Sequence, residues 1–135
     1  MTASVRTVQA GKMAIDISGV AATTDGAIGA ILNPEGVDVL ITRCFLYVTT
    51  QSTGAANLSC GVAATSTTAT TDIINALAVG GATGKYYNGQ AQQVTAKTEV
   101  SAPAVWAAGK YINFTGSAST AGLVGTLFVE YLRVS

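Results

Sequence analysis

The hydrophobic positions of this chain come in short bursts. Stretches rich in Val, Ile, Thr, Tyr and Phe recur between clusters of Gly, Ser, Thr and Asn, the signature of an all-β fold, a sandwich or barrel. No long segment holds the 3.6-residue apolar period of an amphipathic helix, so at most a short helical turn is expected. The pattern predicts strands over 4–9, 12–18, 37–50, 56–64, 91–100, 110–116 and 123–134, with a weaker one near 84–88. In KMAIDIS, Met13, Ile15 and Ile17 share one face and Ala14, Asp16 and Ser18 the other, as in a strand with one wet side. Residues 27–32, AIGAIL, are too few for periodicity to separate strand from helical turn.

Asn33-Pro34-Glu35-Gly36 reads as a turn, because Pro34 presets φ and Gly36 lets the chain turn out of it. The strand that follows, VDVLITRCFLYVTT, is apolar on both faces. If it forms a hairpin centred on Ser52, Leu46 opposes Leu58, Cys44 opposes Cys60 and Thr42 opposes Val62. Leu40, Cys44, Leu46 and Val48 then face the core, and Val37, Val39, Ile41, Phe45 and Tyr47, interrupted by Arg43, line the other face. That second face needs a cover. Either the segment 19–32 or the N-terminal strand folds over it, or another subunit does; with 19–32 adjacent in sequence, cover from within the chain is the expectation. The last strand sets Leu123, Leu127, Val129 and Tyr131 against Val124, Phe128, Leu132 and Val134, which implies a central strand covered on both sides. Residues 65–72, TSTTATTD, read as an exposed loop, and Asp72 as the N-cap of a helical turn through Ile73, Ile74, Ala76 and Leu77.

Composition adds a surface argument. The 135 residues fit one domain, with residues 1–12 as a candidate N-terminal arm pivoting at Gly11. Charged residues make up 10 % of the chain, against roughly 25 % in typical soluble domains. With Lys+Arg 7 and Asp+Glu 7 the net charge is zero, and a surface of Ala, Thr, Ser and Gly favours association over repulsion. The basic residues are scattered singly, so nucleic-acid binding is not expected. The first residues lack the apolar core of a signal peptide, and no stretch approaches the roughly 18 apolar residues of a membrane helix. A soluble protein made in a cytoplasm, with no membrane partner, is the expectation.

The chain contains no histidine, which excludes Ser-His-Asp and Cys-His catalysis and every histidine-based metal site. The carboxylates Asp16, Asp25, Glu35, Asp38, Asp72, Glu99 and Glu130 form no acid-pair motif, and no P-loop or dinucleotide fingerprint is present. Cys44 and Cys60 are too few for a zinc site and are expected as free thiols in a reducing compartment. No enzyme activity, cofactor or metal is therefore expected. Asn57-Leu58-Ser59 and Asn113-Phe114-Thr115 match the glycosylation acceptor pattern but fall in predicted strands. Trp106 reads as a core plug, while Tyr86 and Tyr87, just after a glycine loop, join Arg43, Phe45 and Tyr47 as candidate interface residues.

The order NPEGVDVLITRCFLYVTTQSTGAANLSCGVAA, then TTDIINAL, then WAAGKYINFTGSASTAGLVGTLFVEYLRV, resembles small proteins encoded in the structural gene modules of tailed bacteriophages. Those look like head decoration or capsid-accessory proteins. The resemblance spans residues 33 to 135. It implies an antiparallel β-sandwich, jelly-roll-like or Greek-key. It further implies a non-enzymatic virion protein on the capsid surface that binds the major capsid protein as a symmetric homo-oligomer, a trimer favoured. It supplies no catalytic residues. The alternative is a tail or fibre β-sandwich binding host surface carbohydrate through Tyr86, Tyr87, Asn88, Gln90, Gln92 and Gln93.

Overall fold

The structure is a computed structural model and describes residues 3–21, 28–80, 85–88 and 104–134, with the backbone alone at 85–88 and 104. Every regular element among them is a strand: β1 (Ala10–Ser18), β2 (Gly29–Leu32), β3 (Val39–Thr50), β4 (Asn57–Ala63), β5 (Ile74–Ala78), β6 (Lys85–Asn88), β7 (Ala104–Trp106), β8 (Tyr111–Gly116) and β9 (Val124–Arg133). The bursts of alternating residues became strands because a half-buried pleat rewards the two-residue period. The predicted strands 4–9 and 91–100 fared differently: residues 3–9 are exposed and outside any strand, and 91–100 lie outside the described residues.

The strands form two antiparallel sheets, ordered β1-β9-β3-β6 and β2-β8-β4-β5, with β7 pairing β3 on the same side as β6. The pairs β1·β9, β2·β8, β3·β6 with β3·β7, and β4·β5 are nested. The chain is thus one long hairpin, its tip between β4 and β5. It is rolled up so that β9 meets β3 and β8 meets β4. That is the connectivity of a jelly roll, the two-sheet all-β sandwich.

One buried cluster fills the space between the sheets, with Leu46, Val48, Trp106, Leu127 and Val129 from the first and Leu58, Cys60, Leu77, Ile112 and Phe114 from the second. Trp106 is fully buried, and its Nε1 donates to the Lys110 carbonyl at 3.0 Å. The Asn33–Gly36 turn forms as its sequence requires. The Glu35 amide donates to Asn33 Oδ1 at 2.8 Å, Asn33 Nδ2 donates to the Val37 and Trp106 carbonyls, and Gly36 takes φ +73°.

Several expectations fail for identifiable reasons. β3 and β4 do not form a hairpin; they lie in different sheets, and the 51–56 connection carries the chain across the sandwich. In β3 the register shifts between Ile41 and Arg43, so Thr42 is an extra residue and both it and Arg43 are exposed. The bulge reverses the parity of the strand. Val39 and Ile41 therefore point into the core beside Cys44, Leu46 and Val48, while Leu40 is only half-buried. The predicted helical turn after Asp72 is β5, and Asp72 accepts from the Val62 amide at 3.0 Å rather than capping a helix. Gly11 is no pivot either: it lies within β1, where a Cβ would come 2.4 Å from the Tyr131 ring. Residues 10–12 of the expected arm thus belong to the sheet.

Candidate interaction surface

The two outer faces of the sandwich differ in cover. Over β4 and β8 lies the loop 64–72. Asn113, on β8, is fully buried there and its Nδ2 donates to the carbonyls of Thr65 and Thr68. Gly61, its cross-strand partner, leaves the space that Asp72 Oδ1 and Thr70 Oγ1 occupy, 1.9 and 2.6 Å from where a Cβ would stand. A loop read from sequence as merely exposed thus holds down one sheet. The same burial takes the Asn113 acceptor pattern out of reach of glycosylation.

Over β1, β9 and β3 no such loop lies among the described residues. The described strand of the segment 19–32, β2, is at the edge of the opposite sheet and does not cover this face; residues 22–27 lie outside the described residues. Antiparallel register assembles three rows of side chains across the strands, since directly opposed residues share a face. Ala14, Phe128 and Phe45 form an apolar row; Lys12, Glu130 and Arg43 form a charged row of alternating sign; Asp16, Thr126 and Tyr47 form a polar row. Arg43 stacks its guanidinium 4.3 Å above the Phe45 ring, a cation–π contact. Thr126 Oγ1 donates to Asp16 Oδ1 at 2.7 Å. Phe128 is 42 % and Val124 44 % exposed. A shallow groove of about 410 Å³ runs between Lys12, Met13, Ala14, Phe45, Phe128, Val129 and Glu130.

Of the interface residues named from sequence, Arg43, Phe45 and Tyr47 all stand on this face. The backbone register sets Tyr86 opposite Tyr47 and Tyr87 opposite Leu46; their side chains lie outside the description, as do Gln90, Gln92 and Gln93. Sequence reasoning missed Lys12, Ala14, Phe128 and Glu130 as partners of Phe45 and Arg43. Alternation in 123–134 had already separated Phe128 from the core row, but only pairing joins it to Phe45. β9 is indeed central, between β1 and β3, yet covered on one side alone among the described residues.

Other polar groups tie the chain to itself. The Tyr131 hydroxyl donates to the Glu35 carboxylate, which raises the phenol's pKa, and Arg133 Nε lies 3.6 Å from the other Glu35 oxygen. The Ala108 amide donates to Asp38 at 2.8 Å. Among the described residues no group of three His, Cys, Asp or Glu is placed to hold a metal, and no helix is long and apolar enough to cross a membrane. Cys44 and Cys60 are free and buried. Burial pushes the Cys44 thiol up to about 12, and burial together with neighbouring Cys44 raises Cys60 as well, so neither supplies a thiolate at neutral pH. No protein-family model, curated protein or solved structure matches the chain, which leaves its own surfaces as the guide to what it does.

Proposed function

We propose that the protein is a non-enzymatic structural component of a tailed-bacteriophage virion, a decoration protein that binds the assembled major capsid shell and braces it. The observation that carries the reading is a jelly roll with one outer face that no described loop covers and that is lined by an aromatic and charged band. Jelly rolls recur in viral capsid and lectin domains, and fold likeness of that kind supports a function by analogy. The charge-poor, zero-net-charge composition supports it further, since such a surface tolerates close neighbours on every side. Phe45 and Phe128 with Arg43 form a centre of the type that carries interface energy. A standard contact of roughly 1,200–2,000 Å² repeated over a shell gains by avidity even when each copy binds weakly. Pressure from packaged DNA must then break these contacts as well as those of the shell.

The test is peptide mass spectrometry on gradient-purified virus particles, with copy number taken relative to the major capsid protein. A simple proportion to capsid subunits is expected. A few copies per particle would move the protein to the portal, tail or fibre and favour a carbohydrate-binding role; its absence from particles would end the virion reading.

A further inference from the structure

The longest open sheet edge of the described fold belongs to β1. It runs nine residues without a bulge or proline, and among the described residues no strand pairs with its outer side. The other edges are short or broken: β2 has four residues, β5 has five with Ala76 at φ 57°, and the far edge of the first sheet is divided between β6 and β7. Long regular edges are templates for pairing with another chain, and proteins that stay monomeric shield them.

Two backbone bonds show which groups of β1 are open. The Arg133 amide donates to the Gln9 carbonyl at 2.8 Å, and the Gly19 amide to the Leu123 carbonyl at 2.7 Å. Both β1-side residues are odd-numbered and the register between them is unbroken, so odd positions bond β9. The N–H and C=O groups of Ala10, Lys12, Ala14, Asp16 and Ser18 therefore point off the edge.

We propose that this edge pairs antiparallel with the same edge of a second copy, about a two-fold axis through Ala14. Open groups occur only at even positions, so even positions must face even positions. An axis through Lys12 or Asp16 sets like charges against each other. An axis through Met13 leaves Lys12 against Ala14, and one through Ile15 leaves Asp16 against Ala14. Only the axis through Ala14 overlaps the full strand and sets Lys12 opposite Asp16 of the other copy, twice by symmetry. On the inner face it brings half-buried Met13 against Ile15 of the other copy, extending both cores. The charges of the edge are complementary to themselves, which is why the occupant is a second copy. Opposed strand residues share a face, so the Phe45 and Phe128 bands of the two copies lie on one continuous surface. Self-pairing of this kind closes as a dimer rather than as the trimer expected from the resemblance, and it holds whether or not the capsid reading does.

Light scattering after size exclusion, on the full chain over a range of concentrations, tests it. The expected mass is twice 13.6 kDa. Ala14→Pro removes an edge amide that β9 does not use, at an exposed position, and is expected to give a folded single copy by circular dichroism and Trp106 fluorescence. Lys12→Asp or Asp16→Lys alone should weaken the dimer roughly tenfold or more, and the two together should restore it. Should Ala14→Pro fail to fold, this charge exchange decides alone. A single-copy mass at every concentration, a three-copy mass, or a dimer indifferent to the single charge reversals would overturn the proposal.

Discussion

Raising the pH above 9 is expected to destabilise the protein, and a measurable part of the loss should vanish when Cys44 is replaced. Cys44 is 7 % exposed and points into the sandwich from β3. Burial disfavours its thiolate and moves the pKa from 9.0 to about 12. Below pH 9 the thiol is protonated in both folded and unfolded chains and contributes no pH dependence. Between 9 and 12 the unfolded chain releases a proton that the folded one keeps, so stability falls as pH rises through that window. The slope approaches about 1.4 kcal/mol per pH unit, which makes the loss from Cys44 about 2 kcal/mol near pH 10.5. Cys60, raised by burial, and Tyr131, raised by its hydrogen bond to Glu35, act in the same direction, so the whole profile does not isolate one thiol. The comparison with Cys44→Ala does. Urea unfolding followed through Trp106, the one tryptophan, gives stability at pH steps from about 8 to 10.5. The variant carries a constant offset for lost packing, but the gap between it and the parent should narrow by about 2 kcal/mol over the alkaline range. Parallel profiles would refute the argument that the folded interior holds the Cys44 proton.

The loop over the second sheet gives three further predictions. Asn113→Ala removes two part-buried hydrogen bonds to the Thr65 and Thr68 carbonyls and should cost about 2 kcal/mol. Faster amide exchange in 64–72 should accompany it, whereas unchanged protection would mean that Asn113 does not hold the loop. Asn113→Asp should cost more at neutral pH and recover in part on acidification, because a buried carboxylate would face two carbonyl oxygens until protonated. Gly61→Ala drives a Cβ to 1.9 Å from Asp72 Oδ1 and 2.8 Å from the Asp72 amide. The expected cost is about 1–3 kcal/mol in thermal or urea unfolding; a stability equal to the parent's would show that the loop can lift away freely.

What was legible in the amino-acid order is what depends on neighbours along the chain. The two-residue period of 123–134 and KMAIDIS, the turn chemistry of Asn33 to Gly36, the buried Trp106 and the exclusion of histidine chemistry all follow from residues within a few positions of one another, or from composition. The sheet order, the parity of β3 and the outer face that no described loop covers do not. Residues 39–48, VLITRCFLYV, are apolar in both parities, so alternation alone leaves the extra residue at Thr42 invisible; its place is set by pairing with Glu130 and Tyr131 on β9. Ala10 meets Leu132 and Gly29 meets Phe114, contacts between distant parts of the chain that no local period encodes. Phe45 and Phe128 become one surface only when the rolled hairpin brings β9 beside β3. Local periodicity specifies which side chains share a strand face, whereas the cross-strand register, settled by the packing of the whole sandwich, specifies which faces meet and which stay open.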